Sequence, residues 1–181
     1  MKKFTISLIL IFILLAAIAF SQTPITIKTT STQHGPEKGS LIIIGGGRIT
    51  PEIWKKFTEL AGGQDHARIV VVTAALGDSA GYKLESVETL KQETGISHVT
   101  LLHTKSLAEA NSEKFVHSLK TATGVFFVGG RQWRIADSYL NTMTHQAFFD
   151  VLERGGVIAG TSAGATIQGS FLWRGDTKRY A

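Results

Sequence analysis

Residues 155–165 read GGVIAGTSAGA. Val157, Ile158 and Ala159 form a short apolar run, and Ser162 follows three residues later between small neighbours. The pattern Gly160-x-Ser162-x-Gly164 suits a sharp turn from a strand into a helix. Gly160, Ala163, Gly164 and Ala165 leave room there for a strained serine backbone. A short strand without polar alternation is one buried on both faces, which is the habit of a parallel sheet. The same unit recurs upstream. Residues 41–44 (LIII) end in Gly45-Gly46-Gly47, residues 68–73 (RIVVVT) and 98–103 (HVTLLH) are further strands, and 125–128 (VFFV) end in Gly129-Gly130. Helical patterns lie between them. Residues 51–61 carry Pro51 at the first helical position after Thr50 as N-cap, with Ile53, Trp54, Phe57 and Leu60 on an apolar face. Residues 82–93 put Leu84, Val87 and Leu90 on one side. Residues 112–122 place Phe115 and Leu119 four apart, and 132–154 read as helical. Strands alternating with helices predict a doubly wound parallel α/β sheet with right-handed crossovers. Its ligands belong at the carboxyl ends of the strands, where the glycine clusters fall.

The composition agrees with one domain of this kind. Of 181 residues, 43% are hydrophobic and 18% charged, too apolar for a disordered chain and enough for a real core. There is no cysteine, which excludes a disulfide scaffold, a thiolate metal site, a cysteine nucleophile and a lipid-modified N-terminal cysteine.

Residues 1–21 (MKKFTISLILIFILLAAIAFS) have the three parts of a secretory signal peptide. Lys2 and Lys3 are the basic start, residues 8–19 the apolar run, and Ala19-Phe20-Ser21 the small-x-small cleavage site before Gln22. The alternative is an uncleaved anchor, the one membrane contact this chain predicts, but the run is short for a bilayer span. The mature protein is therefore expected to be secreted or periplasmic. Removing Lys2 and Lys3 takes the net charge from +5 to +3, without a basic stripe, and no nucleic-acid partner is expected. Residues 22–40 are polar and threonine-rich, a leader before the domain at 41–181.

Two serines fit G-x-S-x-G. Ser162 has the strand before it and a helix after it, so the helix N-terminus and the Ala163 N–H would favour an oxyanion beside its hydroxyl. Ser79, in Gly77-Asp78-Ser79-Ala80-Gly81, lies several residues past its strand and reads as a helix cap. The plain alternative for Ser162 is a tight turn rich in small residues. His103 ends the third strand on the rim that carries Ser162 and is a candidate substitute base, although such a histidine is more often a partly buried strand-end residue. His34, His66, His98, His117 and His145 show no metal-ligand spacing, so no metal is expected. Asp176 reads as a turn residue rather than a triad acid. Glu85, Glu88, Lys91 and Glu93 read as a solvated helix face. The Gly45-Gly46-Gly47 loop lacks the third glycine of a dinucleotide fingerprint, since Thr50 stands there, so no organic cofactor is expected. Gly46 and Gly47 are read instead as letting the backbone approach the substrate at the rim.

Three segments together resemble the cyanophycinase and dipeptidase E family of serine peptidases, which share the class I glutamine amidotransferase-like, flavodoxin-like fold. They are LIIIGGG (41–47), FFVGGRQWRI (126–135) and GGVIAGTSAGA (155–165), with order and spacing kept along the domain. Gln132 and the TSAGA turn bring the match closer to cyanophycinase. The resemblance implies Ser162 as nucleophile, an oxyanion hole from the N–H groups of Ala163 and of Gly129 or Gly130, and Gln132 beside the substrate. That substrate would be a peptide or isopeptide such as cyanophycin or an aspartyl peptide. Arg131 departs from the family, which has an acidic residue between the second glycine and the glutamine. The family's catalytic histidine follows the nucleophile by more than the 19 residues left here. The chain is therefore expected to be the N-terminal part of a longer domain, nearly inactive alone, with its histidine and acid beyond Ala181. A homodimer is left open. The rivals are an esterase or amidase of α/β-hydrolase type sharing only the elbow, and a catalytically inactive binding protein on the same fold.

Overall fold

The computed structural model describes residues 35–77 and 80–174. The signal segment 1–21, residues 22–34 of the leader, and Asp78, Ser79 and Asp176 lie outside the described residues.

Five strands form one sheet: β1 (Ser40–Ile44), β2 (Ile69–Val72), β3 (Val99–Leu102), β4 (Gly124–Phe127) and β5 (Val157–Thr161). Their order is β1-β5-β4-β2-β3, and every pair is parallel, as the sequence predicts. The chain steps outward from β2 to β3, returns to β4 on the other side of β2, and steps outward again to β5. Its direction of travel reverses between β2 and β4, and the loops leaving their carboxyl ends diverge there. β1 closes the far side of β5, in register from Ser40 opposite Val157 to Ile44 opposite Thr161.

The strands are apolar throughout because both faces are covered. Ile69 and Val71 of β2, Phe126 of β4 and Val157 and Ala159 of β5 face one core. Val70, Val72, Val125, Phe127 and Ile158 face the other. Helices α1 (Pro51–Leu60) and α2 (Ala80–Thr94) cover the first face with Trp54, Phe57, Val87 and Leu90. The second face is covered by the short turns α3 (Leu107–Ala110) and α4 (Glu113–Val116), then α5 (Gln132–Tyr139), α6 (Met143–Glu153) and α7 (Ala163–Thr166). Aromatic rings meet on each side, Trp54 with Phe126 at 5.1 Å and Phe127 with Phe148 at 4.9 Å between centroids.

Four details depart from the sequence pattern. Residues 132–154 are two helices. Asn141 takes φ 61°, and Thr142 Oγ1 accepts the His145 N–H at 3.3 Å to start α6. Residues 112–122 form one α-turn capped by Ser112 and then tighten into a 3₁₀ turn, His117–Lys120, as the chain turns into β4. Leu84 is exposed while Val87 and Leu90 are buried, because steps of three residues drift round the helix by 60° each. Thr50 stands at the N-cap of α1 but makes no side-chain cap bond. It hydrogen-bonds Glu52 instead, which holds that exposed carboxyl below its ordinary value.

Candidate active site

β5 runs to Thr161, so Ser162 is the first residue beyond the strand and the residue that starts α7. Its backbone sits at φ 52° and ψ −112°, a conformation that L-residues avoid and that persists only where the surroundings impose it. The Ser162 N–H donates to the Ile44 carbonyl of β1 at 2.9 Å, and the Ser162 carbonyl accepts the N–H groups of Ala165 and Thr166 at 3.0 Å each. The Thr166 hydroxyl donates to the same carbonyl. Ser162 is thus pinned from both sides while its residue surface stays exposed.

The glycines around it answer to crowding. A Cβ on Gly160 would lie 2.2 Å from the Gly164 carbonyl oxygen, and one on Gly164 would lie 2.1 Å from that of Phe127. A plain tight turn accounts for those glycines. It gives no reason for a serine to hold positive φ between them.

The β4 loop comes against this turn. A Cβ on Gly129 would stand 3.4 Å from Ser162 Cβ. Gly130 closes instead onto the 3₁₀ turn Ala74–Leu76 that follows β2: its φ is 135°, a Cβ there would overlap the Ala75 carbonyl, and the next N–H, of Arg131, donates to that carbonyl at 3.0 Å. Among the described residues, no backbone carbonyl accepts the N–H of Ala163, Gly129 or Gly130. Gly129 and Ala163 therefore flank Ser162 with donors unspent. α7 is four residues long, so these local N–H groups matter more than an accumulated helix dipole.

Gln132 begins α5, which packs against α7, and its Nε2 donates to the Trp173 carbonyl at 2.9 Å. Arg131 is half-buried just before it. Gly46 and Gly47 lie exposed in the loop after β1 with φ of 144° and 77°. Nothing stands within 4 Å of a Cβ at either, so turn geometry, rather than a close neighbour, accounts for them.

His103 does not come to Ser162. Three strand spacings separate β3 from β5, about 14 Å at ~4.8 Å each, and its Nδ1 lies 3.1 Å from Thr73 Oγ1. Among the described residues nothing hydrogen-bonds Ser162 Oγ, and no cluster of metal-ligating side chains occurs. The sequence alone gives no sign of the Ile44 carbonyl or the Ala75 carbonyl as partners. Both depend on the strand order, which places β1 beside β5 and β2 beside β4.

The family model described as Peptidase family S51 matches residues 41–177, nearly the whole domain. The chain belongs to peptidase family S51. Two relatives are a cyanophycinase of Synechococcus elongatus and one of Thermosynechococcus vestitus, each 31% identical over 150 residues, covering 81% of this chain and 46% of theirs. A solved structure of a peptidase from an acI-B1 Actinobacterium is similar at TM-score 0.64 and 25% identity, over 75% of this chain and 58% of that one. The chain spans about half the length of the curated relatives it matches. The resemblance read from the three glycine-bearing segments is borne out, and with it the S51 fold: a parallel sheet covered by helices on both faces.

Proposed function

We propose that this chain carries the nucleophile half of an exported serine peptidase of cyanophycinase type. The observation behind this reading is Ser162, held at positive φ on an exposed turn between the unspent N–H groups of Ala163 and Gly129. In the reaction, Ser162 Oγ attacks the carbonyl carbon of a peptide or isopeptide bond and gives up its proton to a base. The carbonyl oxygen becomes an oxyanion and receives hydrogen bonds from the two N–H groups. The C–N bond then breaks, the base returns the proton to the leaving amine, and water hydrolyses the acyl-enzyme. No described residue fills the role of the base, which this reading assigns to a histidine outside them.

The substrate class follows the relatives: cyanophycin, a branched aspartate–arginine polymer, or an aspartyl peptide. Arg131 at the start of α5 would repel an arginyl group, which weights the reading toward the aspartyl side of such a substrate. The signal-peptide pattern of residues 1–21 supports an exported enzyme, acting in this reading outside the cytoplasm. The reading as an inactive binding protein draws on one observation, that among the described residues Ser162 Oγ has no hydrogen-bond partner.

Fluorophosphonate labelling separates the two. The purified mature chain should take up one adduct on the peptide containing Ser162, and Ser162→Ala should take up none. A serine without a base is a weak nucleophile, so labelling by the chain alone should be slow and should quicken when imidazole is added to the buffer. No adduct on Ser162 in the presence of imidazole means a dead site.

A further inference from the structure

Beyond α7 the chain turns back across the start of α5. Three contacts tie residues 173–174 to one stretch of that helix. The Trp173 carbonyl accepts from Gln132 Nε2 at 2.9 Å. The Arg174 guanidinium lies 4.8 Å from the Trp133 ring centre, over its face. Arg174 Nη2 stands 3.7 Å from Asp137 Oδ2, one turn further along α5. Burial does not hold the segment, because Phe171 is 77% exposed and Trp173 75%.

The effect falls on Gln132. Its amide has two N–H donors and one carbonyl acceptor. One donor is committed to Trp173, and among the described residues nothing donates to Oε1. The bond fixes which way the amide faces: the nitrogen toward the strap, the oxygen left to meet another donor.

We infer that residues 173–174 form a positioning strap, which orients Gln132 so that its Oε1 accepts a hydrogen bond from an N–H of the peptide substrate. Arg174 is the anchor. It grips Trp133 and Asp137 on α5 and so holds the Trp173 carbonyl over Gln132. This inference rests on the serine peptidase reading, since it assigns Gln132 to the same substrate. It adds the element that sets the glutamine and the chemistry the glutamine selects. An ester or other substrate without the N–H would leave Oε1 unpaired and would be disfavoured.

The test compares two fluorophosphonate probes identical except that one carries a secondary amide near phosphorus and the other an ester oxygen in place of its N–H. With imidazole present, the mature chain should label faster with the amide probe, by about tenfold. Arg174→Ala should bring the ratio close to one, and Arg174→Lys, which keeps a cation for Trp133 and Asp137, should keep most of it. Arg174 is exposed, and an unchanged melting temperature checks that the variants fold. A wild-type ratio near one, or a ratio unchanged in Arg174→Ala, overturns the inference. If neither probe labels Ser162, the nucleophile reading fails, and the Gln132 side-chain amide resonance in a nitrogen-15 correlation spectrum then decides the strap by itself. The resonance should move in Arg174→Ala, and an unmoved one overturns the strap.

Discussion

At the scale of single residues, Ser162 is where local and global preferences disagree. A serine at φ 52° and ψ −112° is strained, and the backbone bonds to Ile44, Ala165 and Thr166 hold it there. Glycine adopts such angles without steric cost. Ser162→Gly should therefore stabilise the fold by about 1 kcal/mol, raising the melting temperature by roughly 3 °C, while abolishing labelling. A lower melting temperature would mean that the serine is relaxed where it sits. Gly164 is the opposite case. A Cβ there meets the Phe127 backbone at 2.1 Å, and backbone cannot rotate aside as a side chain can. Gly164→Ala should cost about 3 kcal/mol or leave the chain insoluble, read by urea unfolding. Tyr139 is buried, and burial pushes its phenol well above the ordinary value of 10.0. The folded state thus favours the protonated form. Its stability is fully present below pH 10 and falls as the pH rises above that, because the unfolded chain can ionise there and the folded one resists. Tyr139→Phe should flatten this alkaline decline. It should also cost about 1–2 kcal/mol near neutrality, since the buried Thr104 N–H donates to the Tyr139 oxygen at 3.2 Å.

Among the elements, the break between α5 and α6 shows what capping contributes. Thr142 Oγ1 accepts the His145 N–H and donates to the Tyr139 carbonyl at 2.5 Å, so one hydroxyl ends one helix and starts the next. Thr142→Ala should cost about 1–2 kcal/mol by thermal unfolding, and Thr142→Ser much less. That break also shows where the sequence pattern runs out. Residues 132–154 carry apolar residues at helical spacing throughout, and nothing marks residues 140–142 as a turn apart from Asn and Thr, which helices also tolerate. The strands were legible because a doubly covered sheet leaves an unbroken apolar run. Each of the five was placed to within a residue or two from runs such as RIVVVT and VFFV. The turn at Ser162 was legible for a related reason. Close backbone approach admits only small residues, so Gly160 and Gly164 spell the geometry directly. His103 was legible only as a strand-end residue. Whether it neighbours Ser162 depends on strand order, and the order puts β4 and β2 between them. The strap on Gln132 had no signal, because its bond comes from a backbone carbonyl and any residue at 173 would supply one.

For the molecule as a whole, the edge formed by β1 is where self-association is expected. Ser40 N–H donates to the Gly156 carbonyl and the Ile44 carbonyl accepts from Ser162, so the even-numbered residues of β1 turn their peptide groups toward β5. The peptide groups of Leu41 and Ile43 turn outward, where no described strand pairs with them. The strand carries no charge and no proline that would discourage pairing, and Ile43 is 65% exposed. Beside it lies an apolar groove of about 670 Å³, lined by residues that include Leu41, Phe148, Ile158 and Ile167. An antiparallel copy of β1, centred on Ile42, would match Leu41 of each strand with Ile43 of the other. It would satisfy all four outward peptide groups and place the two side chains on the same face. A chain begun at Gln22 should therefore self-associate with rising concentration, seen as an increasing mass by light scattering. Ile43→Lys puts a charge on that edge and removes the apolar contact. It should hold the chain monomeric over the same range with its melting temperature changed by no more than a few degrees, since Ile43 buries little in the monomer. Association that persists in Ile43→Lys would move the contact away from β1, to the exposed Phe149 and Leu140 on the outer side of the groove.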